Sequence, residues 1–242
     1  MKIKMIGTGG IWTKFNSACY LIDEDIMVDF PNGACKYLYR FDKKPFEINS
    51  VLLTHFHGDH YFDIPFYVLN KSKSSNKKAN IYCSKEGKSK IISISKLAFP
   101  NSYENFFEET NTVFNFNNNF KVNNYDVIRI LVDHGRMKPA YGYIFKFDKL
   151  CVGFTGDTAL CEGVKYMASK CSYLFCDVSF INGTSKHMGI NDIVRLCEEF
   201  KTCKFVTSHM LDEARMELKK LNIENLIVGE DGMEFNLWKV CY

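Results

Sequence analysis

The sequence has no long hydrophobic run. No stretch of about 18 apolar residues occurs, so no segment reads as a membrane-spanning helix and no membrane partner is expected. The opening MKIKMIGTGG enters a glycine turn after a few apolar residues, too soon for the apolar stretch of a secretory leader. None of the ten cysteines forms a C-x-x-C pair, and most sit in apolar settings such as SACYLI, KLCVGF and YLFCDV. They read as small buried hydrophobes in a reducing, cytoplasmic setting. Charge of one sign is also lacking. A net charge of +3 gives no footprint for general nucleic-acid binding. Histidine is the scarcest strong ligand, with six residues in the chain.

What is present describes a folded chain. Apolar residues make up 46% and charged residues 24%, enough for a sizeable core. The 242 residues read as one domain, 1–242. Short apolar runs alternate with turn signals. KIKMIG, SACYLID, IMVDF, INSVLLTH and IYCS read as strands, with a hairpin at Glu24-Asp25. A helix is expected from Gly58 to about Leu69, interrupted in pattern by Pro65. The polar stretch 70–80 reads as a surface loop, and Ser84 as the N-cap of a helix over KEGKSKIISISKLAF. FNFNNNFKV reads as a strand with a turn, followed by strands in YDVIRILVDH, AYGYIFKF, KLCVGFTGDT, YLFCDVSF and CKFVTSH. INDIVRLCEEF and LDEARMELKKL have helical period. Two batches of strands with helices predict two sheets with helices outside.

Three of the six histidines fall in LLTHFHGDHYFDIP, the stretch 52–65. In an extended segment His55 and His57 share a face and can converge on one ion. Asp59 and His60 follow across Gly58, which allows the backbone to turn and aim them at a neighbouring point. Imidazole and carboxylate without thiolate suit zinc, and also manganese or iron(II). Packing alone is a poor reason to crowd these groups, because burying them without a metal is costly. The other histidines, His134, His187 and His209, lie at or near the ends of strand-like runs, as does Asp157 in FTGDT. Taken singly, His134 and His209 read as ordinary polar residues; their order along the chain carries the argument.

That order resembles the metallo-β-lactamase superfamily, from GTGG through MVDFPNG, LLTHFHGDH, DH at 133–134, FTGDT, CDVSF and SHM to GEDGMEF. The resemblance implies an α/β fold, the αββα four-layer sandwich, with two divalent metal ions at one edge. It assigns His55, His57 and His134 to one metal and Asp59, His60 and His209 to the other, with Asp157 and a water or hydroxide bridging. Asp29 would orient a ligand or the loop from behind. His57 is intact, whereas the redox branch of the superfamily carries glutamate there, so hydrolysis is expected. The stretch around His134 departs from the lactonase and thioesterase pattern. It is similar instead to the ribonuclease Z and cyclic-phosphodiesterase branch, in which a histidine upstream of the last ligand acts near the scissile phosphate; here that is His187. The catalytic candidates are Asp59 and His187, the latter as proton donor to the leaving oxygen.

Ribonuclease Z carries a long tRNA-gripping arm between its third histidine and bridging aspartate, and the short gap from His134 to Asp157 has no room for it. The expected substrate is therefore a small phosphodiester, a cyclic nucleotide or cyclic phosphate, hydrolysed by a metal-bridging hydroxide. The alternatives are a ribonuclease Z-like RNA 3′-end endonuclease, for which Lys71, Lys73, Lys77 and Lys78 would supply part of a basic groove, and a lactone or thioester hydrolase. Tyr61, Phe62, Phe66 and Tyr141 are candidates to stack on a base, although core packing is the commoner use of such residues. Loop 70–80 and the aromatic segment 99–116 are candidates for a lid or a subunit contact, and the resemblance implies a homodimer.

Overall fold

Strand β1 (Lys2–Gly7) runs into a hairpin of β2 (Cys19–Ile22) and β3 (Ile26–Val28). The hairpin turn is centred one residue earlier than expected. Asp23 and Glu24 take φ of 44° and 74°, and the Asp25 amide donates to the Ile22 carbonyl. Positive φ at both central residues is the type I′ geometry that matches strand twist. The structure, a computed structural model, describes residues 1–237. The expected domain runs to 242, and residues 238–242 lie outside the described ones.

The chain forms two compact units. The first takes Met1–Gly7, Asn16–Asn117 and the segment from Asp231 onward; the second takes Thr8–Phe15 and Asn118–Glu230. In the first, β4 (Ser50–Leu52), β5 (Asn80–Tyr82) and β6 (Val113–Asn115) extend the sheet, with helices α1 (Ala34–Arg40), α2 (Gly58–Tyr61), α3 (Ile64–Ser72), α4 (Lys85–Ala98) and α5 (Tyr103–Glu109). The second holds β7 (Asn119–Val122), β8 (Tyr125–Val132), β9 (Ala140–Phe147), β10 (Leu150–Phe154), α6 (Glu162–Lys170), β11 (Tyr173–Asp177), α7 (Ile190–Glu199), β12 (Lys204–Ser208), α8 (Asp212–Leu218) and β13 (Leu226–Val228). The last described strand, β14 (Glu234–Asn236), returns to pair with β1.

Each unit is built on a mixed seven-stranded sheet, ordered β14-β1-β2-β3-β4-β5-β6 in the first and β13-β12-β11-β10-β9-β8-β7 in the second. The run β3 to β6 is parallel, as is β10 to β13, and the remaining pairs are antiparallel. Strands β2, β3 and β4 are buried at every residue, the pattern of strands covered on both faces. The first core gathers Met27, Phe30, Val51, Tyr67, Ile81 and Ile91; the second gathers Ile144, Val164, Met167, Leu174, Ile193 and Phe205. In α7 the buried residues Ile193, Leu196 and Cys197 recur at helical spacing, as the sequence predicts. Helix α4 starts after Ser84, whose hydroxyl accepts the Gly87 amide at 3.0 Å, the expected cap.

Three further expectations need correction. The helix from Gly58 is two helices, because Asp63 leaves helical geometry between them; Pro65 then sits in the first turn of α3, where its missing N–H has no partner to lose. FNFNNNFKV is not one strand with a turn: Val113–Asn115 pairs with β5 in the first sheet, and Asn119–Val122 pairs with β8 in the second. Phe114 and Phe116 pack on the first core, which draws β6 away from its neighbour in sequence. Stretch 70–80 is a loop only after Ser72, and Lys71 is buried within α3, where its ammonium donates to the Phe46 carbonyl at 2.9 Å and to Asn49 Oδ1 at 2.8 Å. Lys71 is thus removed from any basic groove. Among the described residues no helix is long and apolar enough to cross a membrane, and the nine described cysteines are free thiols.

Candidate metal centre

In the first unit the ligand loop leaves the end of β4. Asp29, just past β3, anchors it with φ of 61°, an unusual backbone for a non-glycine residue that aspartate tolerates better than most. Its Oδ1 accepts the Thr54 amide at 2.8 Å, and its Oδ2 accepts the Thr54 hydroxyl at 2.8 Å and His60 Nδ1 at 2.8 Å. Burial pushes the Asp29 carboxyl above the usual carboxylate range, against the pull of His60 and Thr54. These bonds also fix tautomers. The Thr54 hydroxyl gives its hydrogen to Asp29, so it accepts from His55 Nδ1 at 3.1 Å. His55 and His60 therefore carry their Nε2 lone pairs on the side away from Asp29 and Thr54. His55 Nε2 stands 3.1 Å from His57 Nδ1, and His60 Nε2 stands 3.7 Å from Asp59 Oδ2. Gly58 is not the sharp turn expected, since its φ is not positive; it opens α2, where a Cβ would meet the Phe62 ring at 2.8 Å.

The second unit brings its candidate ligands together at the ends of β8, β10, β11 and β12. Loops at strand ends on a rigid sheet are where scaffolds hold reactive groups. Gly156, at φ of 62°, makes the turn that delivers Asp157. His134 Nδ1 donates to the Lys186 carbonyl at 2.8 Å, and His209 Nδ1 donates to Ser179 Oγ at 2.8 Å. Ser179 in turn donates to Asp177 Oδ1 at 2.6 Å. Both histidines thus direct Nε2 at Asp157 Oδ2, at 3.9 Å and 3.4 Å. Burial holds His134 below the usual imidazole range despite Asp157 nearby, the direction that favours the neutral imidazole a metal would need.

His187 enters the same cluster from the loop before α7. That loop is closed by paired backbone bonds, Ile190 amide to Ile181 carbonyl at 3.0 Å and Thr184 amide to His187 carbonyl at 2.8 Å. His187 Nδ1 donates to Asp177 Oδ2 at 2.8 Å, and its ring stacks on His209 with centroids 5.5 Å apart and planes 4° apart. Burial alone would raise Asp177 and lower His187. Hydrogen bonds and charge together outweigh it: His187 and His209 hold the carboxyl below its ordinary value, and Asp177 and Asp157 hold the imidazole above its own. One donor atom from each of Asp157, Asp177, His187 and His209 lies within 4.8 Å of the others.

These residues fit divalent metal. Two nitrogens bound to one tetrahedral ion at 2.0–2.1 Å stand about 3.3 Å apart; the His55–His57 pair at 3.1 Å and the His209–Asp157 pair at 3.4 Å match that edge. Four histidines have one ring nitrogen held by a carbonyl, hydroxyl or carboxylate and the other presented toward a second ligand, the arrangement metal-binding imidazoles use. Asp177 and Ser179 lie within the quoted CDVSF, yet neither is a ligand candidate in the sequence. A carboxylate ending a buried strand next to the strand of His209 was their only signal. Of the stacking candidates, Tyr61 is buried in the first core and Tyr141 lies under the Arg129 guanidinium at 4.8 Å, while Phe62 and Phe66 are exposed.

A ribonuclease Z of Methanocaldococcus jannaschii is 29% identical over 166 residues, covering 60% of this chain and 47% of that protein. An anti-Pycsar protein Apyc1 of a Paenibacillus species is 30% identical over 86 residues, 34% of this chain and 35% of that one. The chain spans about half the length or less of the curated relatives it matches. The metallo-β-lactamase fold protein YhfI of Bacillus subtilis aligns over 97% of this chain and 98% of its own with a TM-score of 0.76 at 16% identity. The short form of human tRNase Z aligns over 98% and 99% with a TM-score of 0.71 at 15% identity. The fold is thus that of the metallo-β-lactamase superfamily, whose members include metal-dependent hydrolases. The family model for the anti-Pycsar protein Apyc1 matches residues 1–228, and the chain belongs to that family, within the ribonuclease Z-like branch of the superfamily.

Proposed function

We propose that the protein is a metal-dependent phosphodiesterase that hydrolyses a small phosphodiester, a cyclic nucleotide or cyclic phosphate. The observation that carries the reading is the second unit's cluster, in which Asp157, Asp177, His187 and His209 present donor atoms within 4.8 Å of one another. Following the superfamily pattern, His55, His57 and His134 would hold one divalent ion and Asp59, His60 and His209 the other, and Asp157 would serve both. Zinc suits this nitrogen and oxygen set, and manganese or iron(II) also fit. Such ions, when bound, supply positive charge against the phosphoryl oxygens and make water acidic enough to attack at neutral pH.

The chain's own groups do the rest. Asp177 holds the His187 proton at Nδ1, so Nε2 is the atom that hands a proton to the leaving ester oxygen. Ser179 keeps His209 in the tautomer that points Nε2 toward Asp157. Asp59 is the other catalytic candidate, a carboxylate 3.7 Å from His60 Nε2. The His134-to-Asp157 stretch is filled by β9 and β10, a plain antiparallel hairpin with no projecting arm, which supports a small substrate over tRNA. The ribonuclease Z name borne by several relatives supports the RNA 3′-end reading as the alternative. A homodimer in the reducing cytoplasm is proposed with the activity.

The deciding experiment offers cyclic mono- and dinucleotides, bis(p-nitrophenyl) phosphate and an unprocessed tRNA to protein of known metal content, with and without chelator. Chelator-sensitive opening of a cyclic nucleotide is expected. Cleavage of the tRNA alone would transfer the activity to RNA ends, and no turnover of any phosphodiester would remove the reading.

A further inference from the structure

The segment Thr8–Phe15 joins β1 to β2 and belongs to the second unit, beside His209. Its base is fastened directly after that ligand. Met210 donates its amide to the Thr8 carbonyl at 3.0 Å, Gly10 donates its amide to the Met210 carbonyl at 3.2 Å, and Gly9 and Met210 form a parallel bridge. A Cβ built on Gly10 would stand 3.7 Å from His209 Cε1, so the backbone of this loop runs against the ligand ring.

Arg215 locks both ends of the loop. Its guanidinium donates to the Thr8 carbonyl at 3.2 Å and the Thr8 hydroxyl at 2.8 Å, and it covers the Phe15 ring at 3.8 Å. The same side chain donates to the Gly229 carbonyl at 2.6 Å and pairs with Glu230 at 3.4 Å. Across the loop, the Thr13 hydroxyl donates to the Gly10 carbonyl at 3.3 Å and accepts the Phe15 amide at 3.3 Å. At the tip of this fixed loop Ile11 is 55% exposed and Trp12 is 75% exposed. An indole is among the side chains that gain most from burial. A loop bonded at both ends that holds one in solvent, two residues from the Gly10 backbone beside His209, suits stacking on a flat partner.

We infer that Trp12 is a specificity-determining residue that stacks on the base of the substrate, with Arg215 as the positioning residue that holds its loop. The inference rests on the phosphodiesterase reading and names the part of the substrate recognised: a planar aromatic base attached to the phosphodiester. Stacking reads any π-face, so it favours substrates with a base over those without one and discriminates weakly among bases.

The test separates this inference from the activity itself. The chain has two tryptophans, so W238F leaves Trp12 as the single indole. Titrating W238F with a hydrolysis-resistant cyclic nucleoside phosphorothioate is expected to quench its fluorescence, and the abasic methyl riboside 3′,5′-cyclic phosphate is expected not to. In turnover, W12A should raise KM for a cyclic nucleotide about tenfold or more, with kcat changed less than about threefold. W12F should recover most of the loss, and the abasic ester should be hydrolysed equally by W12A and wild type. Arg215→Met should reproduce the KM effect if it folds, and circular dichroism checks that it does.

Turnover with no quenching and an unchanged KM in W12A would overturn the stacking role and leave the phosphodiesterase standing. Base-dependent quenching without turnover would sink the phosphodiesterase and keep the stacking. If W12A instead lowers the sedimentation mass and impairs the abasic ester as much as the nucleotide, Trp12 serves contact with a second copy and the inference fails.

Discussion

Asp177 is bonded through both of its carboxylate oxygens. Its Oδ2 accepts His187 Nδ1 and the Thr158 amide, and its Oδ1 accepts the Ser179 hydroxyl. Asp177→Asn keeps the shape and removes the charge. Partners that hold metal ligands or catalytic imidazoles are typically worth 10–100-fold, so kcat should fall by roughly that factor with KM within about threefold. Steady-state kinetics on the cyclic nucleotide check it, and an unchanged kcat would reduce Asp177 to a packing role. Lys71 gives a second prediction. Burial lowers its ammonium from 10.5 to about 8, against a weaker opposing pull from Asp25. The unfolded chain then binds more protons than the folded one between those values, so Lys71 adds stability as pH rises from about 8 to 10.5 and withdraws it as pH falls through 8. Urea midpoints measured across that window should rise for wild type relative to Lys71→Met, whose stability lacks this term. Parallel curves would show that Lys71 is neutral or charged alike in both states.

Short elements position the site, and each depends on one local device. Gly156 turns at φ of 62° to deliver Asp157 from β10. Alanine there meets the left-handed penalty of about 1–2 kcal/mol. Gly156→Ala should lower stability by that order in a denaturation curve and reduce bound metal measured by plasma emission, while Gly156→Asn should lose less of both. Helix α4 depends on Ser84, and Ser84→Ala should cost about 1 kcal/mol in urea denaturation with no change in kcat, since α4 carries no ligand. Both devices were legible as sequence, because a cap and a turn glycine act within a few residues. The division of Gly58–Ser72 at Asp63 was not, nor was the separation of β6 from β7. There the competing cores decided, and nothing local tells Phe114 to leave the following strand for the sheet it joins.

At the scale of the molecule, metal should act as a ligand that binds the folded chain. At a hundred times its dissociation constant, it adds about 2.7 kcal/mol per site. Chelation should therefore lower the melting temperature by several degrees, and zinc should restore it; an identical melting curve with and without chelator would argue that the ligand sets hold no ion. The histidine order, the strand-end placement and the hydrophobic strand runs were written in the sequence by itself. They are local or ordinal features: spacing in His55, His57, Asp59 and His60, and apolar period in elements such as α7. The tertiary structure alone decided the supporting network. In β11 and β12 the parallel register pairs Asp177 with Ser208, which sets this carboxylate beside the strand end that carries His209. The loop before α7 then brings His187 onto its Oδ2. It also decided that Lys71 is buried and that Arg215 secures a loop more than two hundred residues away in sequence. Such partners have no spacing rule, because a hydrogen bond depends on where the backbone passes in space, and only strand register and packing fix that.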